Sequence, residues 1–329
     1  MSQKLKIPPS FSVIKRGGTT LFVKEGYQKI ITDLIFDPEF LHKYKNDTQV
    51  KFGRGRYLSV PITENSTERL VIRGYRHGGL LGKLFGGVFF NENRPLNEIC
   101  ISEIASQKGV PSAEVIAITK RRLWGIFYKA NFISKEISGA LDIIQFLKES
   151  SLNCIQKSKK PVIFALVKLV RNMHDAGIYH ADLHLKNILL KEGSSREFTA
   201  YIIDLDKSVV LNKLDIHQRI KNLLRLDRSL DKLRWLSCKE YQSNVPVSHG
   251  DKSGESLRQK IALISKTDRI RFLKAYMLCS GAIDRDWKKY LRQGHSHHSL
   301  HKFWWRLLGL SRNNDYTGKL KYLSMNSVI

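Results

Sequence analysis

His180-Ala181-Asp182-Leu183-His184-Leu185-Lys186-Asn187, the apolar run Ile188-Leu189-Leu190 behind it, and Tyr201-Ile202-Ile203-Asp204-Leu205-Asp206 further on form the stretch that decides how this chain folds. A carboxylate takes a proton from a hydroxyl only if the backbone holds it beside that hydroxyl, and a hard cation such as Mg²⁺ needs oxygen ligands at fixed separation. Asp182 and Asn187 on one loop, with Asp204 ending the adjacent strand, meet both demands. The polar segment Lys191 to Glu197 reads as the turn of a hairpin that joins Asn187–Leu190 to Ala200–Ile203.

An Asp, an Asn five residues later and then a strand-terminal Asp is the spacing of protein-kinase-like enzymes. In that scheme Asp182 receives the acceptor proton, while Asn187 and Asp204 hold Mg²⁺ against the phosphates of ATP. The rest of the chain is organised to suit. Short β-rich runs come first: Thr20–Val23, Tyr57–Ile62, Leu70–Arg73, Ala113–Ile118 and Leu123–Ala130, with one helix among them after Arg94-Pro95, ended by Gly109 and Pro111. After Ser138-Gly139 the apolar spacing becomes helical, over Ala140–Leu147 and Pro161–Met173, and from about Leu214 onward the chain reads as helical and basic. The expected fold is therefore α+β and bilobal, protein-kinase-like, with a small β-rich N-lobe over residues 1–134, a hinge near Phe132–Ile137 and a larger helical C-lobe over 135–329.

Three more positions belong to this reading. Gly53 and Gly55 precede a strand, where a glycine hairpin brings backbone N–H groups onto phosphate oxygens, although the third glycine of the kinase pattern is missing. Arg73 ends the next strand where protein kinases keep a phosphate-binding Lys, and Glu98 on the following helix is its expected ion-pair partner. Asp206 stands where a protein kinase has Gly, and no Ala-Pro-Glu segment follows.

Composition sets the class. The 329-residue chain is long enough for two cores, shows no signal-peptide pattern at Met1–Pro9, and its apolar runs, such as Pro161–Val167, are too short to span a bilayer, so a cytosolic protein is expected. Four cysteines (Cys100, Cys154, Cys238, Cys279) form no C-x-x-C pair and read as free buried thiols. A formal net charge of +26, with basic residues continuing through the C-terminal third and not confined to one tail, calls for a polyanionic partner. Ile220, Leu223, Leu224, Leu226, Leu230, Leu233 and Leu236 gather on one broad side of a helix whose cations lie mainly elsewhere. Arg76–Phe90, rich in glycine and apolar residues, is either a packed loop or a lipid or sugar contact. The cluster of His295, His297, His298 and His301 reads as a solvated loop, not a metal site, and His184 as structural.

The chain resembles the lipopolysaccharide kinase family, and within it the branch that phosphorylates 3-deoxy-D-manno-octulosonic acid (Kdo). Val71–Leu80, Gly109-Val110-Pro111, Met173–Leu183, Asn187–Leu190, Ile203–Asp206 and Lys221–Leu230 carry the resemblance, which runs from about residue 50 to 235. It implies an Arg at the position of Arg73, ATP and Mg²⁺ as cofactors, and transfer of phosphate to the 4-hydroxyl of Kdo in a lipid-linked lipopolysaccharide precursor. It further implies peripheral attachment to the anionic cytoplasmic face of the inner membrane, with nucleic acid not expected as a partner. Heptose, another glycolipid sugar or a protein side chain as acceptor, and a non-catalytic basic module that binds polyanions, are the rival readings. The resemblance does not reach the stretch beyond about Leu236.

Overall fold

The structure, a computed structural model, describes residues 6–37, 39–40, 44, 47–52, 56–63, 66–74, 88–89, 94–123, 127–206, 208–242 and 256–278. Gly53, Gly55, Cys279, the histidine cluster at 295–301 and all of Arg76–Phe90 except residues 88–89 lie outside the described residues.

An antiparallel eight-stranded sheet opens the chain: β1 (Phe11–Arg16), β2 (Thr19–Lys24), β3 (Gln49–Phe52), β4 (Arg56–Pro61), β5 (Arg69–Gly74), β6 (Val88–Phe89), β7 (Val115–Arg122) and β8 (Tyr128–Lys135). Their spatial order is β1-β2-β7-β8-β5-β4-β3, with β6 also on β8. Gly17 and Gly18, at φ 54° and 74°, make the two-residue turn between β1 and β2, a left-handed pair that side chains with a Cβ resist. One face of the sheet buries Leu21, Val23, Val60, Leu70, Ile116 and Ile133 under α1 (Gln28–Phe36), which contributes Ile31 and Leu34. This helix corrects the expectation of a single helix among the strands. It has nine residues and no side-chain N-cap, so it carries little of the usual sequence signal. The other face packs Phe11, Phe22, Val115, Ile118 and Phe132 against Ile99 of α2 (Arg94–Gln107).

Of the expected hinge segment, Phe132 to Lys135 belong to β8, paired with β5 in the register Arg73↔Phe132 and Leu70↔Lys135, and the residues after the strand begin at Glu136. The strand expected at Leu123–Ala130 starts at Tyr128, and the one expected at Ala113–Ile118 runs from Val115 to Arg122.

The second half is mainly helical, as expected of a protein-kinase-like α+β fold: α3 (Ile143–Glu149), α4 (Leu152–Asp175), α5 (Ile216–Gln242), α6 (Leu257–Ala262) and α7 (Lys266–Leu278). Helix α3 starts later than its apolar spacing suggests, because Asp142 ends the short strand β9 (Leu141–Asp142) and caps the helix, accepting from the N–H groups of Ile144 and Gln145 at 2.8 and 2.9 Å. Helix α4 starts earlier, capped by Ser151, and carries Pro161 inside it at a half-buried turn. On α5, Ile220, Leu226, Leu230 and Leu233 are buried as expected, whereas Leu236 is exposed. The thiols of Cys100, Cys154 and Cys238 are free but only half-buried. Among the described residues no helix is long and apolar enough to cross a membrane.

Candidate active site

The loop between β10 (Ile178–Tyr179) and β11 (Ile188–Glu192) presents Asp182, with its side chain 58% exposed. Strand β11 pairs with β12 (Phe198–Ile202) in the register Leu190↔Ala200, the hairpin read from the sequence, and Asp204 follows directly. A 3-10 turn over Leu185–Asn187 brings Asn187 back beneath the loop, where it is 1% exposed and donates from Nδ2 to the Asp182 carbonyl at 2.9 Å. That bond orients the amide so that Oδ1 remains as an oxygen donor. The Ile203 N–H donates to the Asn187 carbonyl at 3.0 Å, tying the Asp204 turn to the same loop.

His180 completes the tie. Its Nδ1 accepts from the Asp182 N–H at 3.1 Å, so Nε2 carries the proton and donates to the Ile203 carbonyl at 3.2 Å. Burial pulls its pKa down to about 4, which keeps the ring neutral and this tautomer in place near neutral pH. Asn222 on α5 brackets His180 from below, accepting from its N–H at 3.1 Å and donating to its carbonyl at 3.0 Å. The same Asn222 Oδ1 lies 3.3 Å from His174 Nε2, and His174 Nδ1 lies 2.7 Å from the Tyr276 hydroxyl on α7. Burial, and then the nearby Arg219 guanidinium, push His174 down to about 3. Ser229 Oγ accepts from the Leu185 N–H at 3.2 Å.

The opposite wall comes from the sheet and α2. Arg73, stacked 4.5 Å from the Phe132 ring centroid, places Nη2 3.2 Å from Glu98 Oε1 and 3.6 Å from Asp204 Oδ1. Glu98 is 1% exposed, so its charge is matched by these guanidinium contacts and not by water. Asp204 adopts φ 64°, a left-handed conformation that Asp tolerates better than most residues, and this turns its carboxylate toward Arg73 as the strand ends. Two residues on, Asp206 is held by both arms of Arg94, with Nε to Oδ1 at 2.8 Å and Nη2 to Oδ2. Asn97 donates to the Ser208 carbonyl at 3.3 Å and Lys108 to the Ala176 carbonyl at 2.7 Å, so α2 is fastened to the second half at both ends.

Asp182, Asn187 and Asp204 thus share one hydrogen-bonded loop system, and Arg73 reaches Asp204 and Glu98 together. Asn187 and Asp204 supply hard oxygen donors of the kind that suit Mg²⁺, which takes one or two protein oxygens and fills its shell with phosphate and water. His184 Nε2 lies 3.5 Å from Asp182 Oδ2. Sequence reasoning missed Asn222, Arg94, and Asp206 as the partner of Arg94. An Arg opening a helix and an Asp replacing Gly were visible separately, but nothing local links them.

The family description "Lipopolysaccharide kinase (Kdo/WaaP) family" matches residues 48–251 of the chain. The chain is 29% identical over 206 residues to a 3-deoxy-D-manno-octulosonic acid kinase of Photobacterium damsela subsp. piscicida, covering 61% of this chain and 79% of that protein. It is 30% identical over 204 residues to the enzyme of the same name from Vibrio vulnificus (strain YJ016), covering 61% and 80%. Among solved structures, one titled "WaaP in complex with acyl carrier protein" aligns at 16% identity with a TM-score of 0.48, over 86% of this chain and 96% of that one.

Proposed function

The chain belongs to the lipopolysaccharide kinase (Kdo/WaaP) family, and from that premise we propose that it transfers the γ-phosphoryl group of ATP to the 4-hydroxyl of a lipid-linked Kdo residue at the cytoplasmic face of the inner membrane. At the coarser level it is a sugar kinase of lipopolysaccharide synthesis. The observation that supports phosphoryl transfer is the hydrogen-bonded loop system of Asp182, Asn187 and Asp204, with Arg73 reaching both Glu98 and Asp204, and the Kdo kinase relatives support the acceptor.

In this reading the nucleotide lies between a lobe of residues 1–134 and one of 135–329. Asp182 accepts the proton of the sugar hydroxyl as its oxygen bonds to the γ-phosphorus and the bond to the ADP oxygen breaks. Asn187 and Asp204 hold Mg²⁺, which when bound neutralises charge on the phosphates. Arg73, positioned by Glu98 and the Phe132 ring, meets the α- and β-phosphates, and Gly53 and Gly55 let the backbone approach them. Such transfer depends on placement and charge neutralisation more than on covalent chemistry, which suits a site built from hydrogen bonds and ion pairs. The net charge of +26 draws the protein to an anionic lipid surface, where each nearby Lys or Arg contributes on the order of 1 kcal/mol.

Mass spectrometry of lipopolysaccharide cores from cells with and without this protein tests the proposal. Loss of one phosphate from Kdo is the expected result. A phosphate lost from heptose, or from neither sugar, would reject the acceptor named here.

A further inference from the structure

Helix α5 carries its opposite charges on different sides. Asp227 and Asp231 turn toward α7, where Arg269 Nη1 lies 2.8 Å from Asp227 Oδ1 and Nη2 of the same guanidinium meets Asp231. Lys221, Arg225, Arg228 and Lys232 recur at three- and four-residue intervals and so share another stripe of the helix. Asn222 and Ser229, which grip His180 and Leu185 of the catalytic loop, lie on the neighbouring face. The cations of this stripe therefore stand on the side next to the loop that carries Asp182, while Asp227 and Asp231 make their ion pairs with Arg269.

Within that stripe two guanidiniums sit together. Arg225 lies 5.5 Å from the Tyr179 ring centroid, and its Nη1 is 3.5 Å from the His180 carbonyl, at the long limit of a hydrogen bond. Arg228, half-buried one turn further on, has no hydrogen bond or ion pair among the described residues. Burial, and then the charge of Arg225, hold Arg228 below the usual arginine value. A guanidinium has five donors, and withdrawing it from water beside a like charge is unfavourable unless an anion completes the group. The loop itself is held mainly by Asn222, Ser229 and His180, whose bonds are shorter than the 3.5 Å contact of Arg225.

We propose that Arg225 and Arg228, beside Tyr179 and the loop bearing Asp182, form the subsite for the carboxylate of the sugar acceptor. This rests on the kinase reading given above and deepens it. A planar fork matches a carboxylate through two parallel N–H···O bonds, and a pair of forks next to the catalytic loop selects an acidic sugar over a neutral one. The stripe continues to Lys221 and Lys232, which extend the positive field along the path of the bound acceptor.

The test crosses two enzymes with two acceptors. Wild type and Arg228→Gln are assayed for phosphate transfer to lipid-linked Kdo and to the same acceptor with its carboxyl group reduced to an alcohol. Wild type should prefer the acid through a lower KM, and Arg228→Gln should lose about 10- to 100-fold of kcat/KM on the acid while changing little on the reduced acceptor. Arg225→Gln and Arg228→Lys run through the same cycle if the first variant does not fold. Equal losses on both acceptors, or retained discrimination in every variant, would overturn the inference and leave the kinase reading intact. So would a discrimination that follows removal of the lipid phosphates and not of the carboxylate. Transfer by wild type to neither acceptor would overturn the kinase reading itself, and this subsite with it.

Discussion

Asn222, neutral and fully buried, fastens the loop that carries Asp182, whereas the turn that carries Asp204, tied to that loop through Ile203, is held on its far side by Arg94 and Arg73, charged and partly exposed. The first fastening runs through Asn222, His180, His174 and Tyr276, all buried. Bonds of that kind are insensitive to salt and are costly to leave half-made, so they give the loop of Asp182 one fixed place. The second uses guanidinium–carboxylate pairs, whose partners can be exchanged. Arg73, 3.6 Å from Asp204, can trade that contact for a phosphate oxygen without leaving a buried polar group bare. One half of the site is built to stay, and the other is built to respond to a charged ligand.

The largest effects should separate the two halves by what each does to nucleotide binding. Asp182→Ala is expected to lower turnover by about 10²- to 10⁴-fold while leaving MgATP affinity nearly unchanged, as measured by steady-state kinetics beside equilibrium nucleotide binding. Asp204→Asn should weaken Mg²⁺-dependent nucleotide binding together with turnover, because an amide is a poor ligand for a hard cation. If both variants lost nucleotide binding alike, the division of labour drawn here would fail.

A stability effect comes next. Asn222→Ala leaves the His180 backbone N–H and carbonyl buried without their partner and should cost about 3 kcal/mol in denaturant unfolding, with turnover reduced in whatever protein remains folded. A loss below about 1 kcal/mol would mean that water replaces the amide easily, and that the loop is less fixed than its hydrogen bonds suggest.

The same contrast predicts a pH dependence. Burial holds His180 and His174 at about 4 and about 3 in the folded state, against an ordinary histidine value of 6.5. Between those values the unfolded chain binds more protons, so stability is full above about pH 6.5 and falls as the pH drops, by about 1.4 kcal/mol per pH unit for each ring. Asp175 acts in the same direction. Burial alone would raise its pKa, but hydrogen bonds from Arg171 and Arg219 outweigh that and lower it. Thermal melts across this range should show the slope reduced in His174→Gln, and an unchanged slope would deny the ring its neutral buried state.

The smallest effect belongs to the ionic half. Asp206→Asn keeps a hydrogen-bond acceptor for Arg94 but removes the charge, at a cost of about 1 kcal/mol that shrinks as salt rises. Hydrogen exchange along α2 should report it, with faster exchange near Arg94 at low salt. No change there would show that Asn97 and Lys108 suffice to hold α2.

Much of this was legible beforehand. The hairpin register Leu190↔Ala200 follows from two short apolar runs flanking a polar turn, and the helix at Arg94 from its Pro start and Gly end. The order of Asp182, Asn187 and Asp204 could be read because each position is fixed by a few residues of turn and strand. Helix α1 escaped notice for want of a cap, and the start of α3 shifted because Asp142 caps it and also pairs with Leu189 in the small sheet. The end of β8 was less legible, because its last residues, Ser134 and Lys135, are polar, and only its pairing with β5 shows that the strand runs that far.

The sequence by itself determined the fold class and the family resemblance, and placed Asp182, Asn187 and Asp204 around one hairpin, since these depend on local spacing that backbone geometry converts directly into position. Only the tertiary structure decided what holds those residues. The bond between Asn222 and His180 spans 42 positions and that between Arg94 and Asp206 spans 112, and neither distance along the chain implies contact. Such pairs exist because the packing of α5 beneath the loop and of α2 against the sheet brings them within reach. Burial then makes each polar group demand a partner.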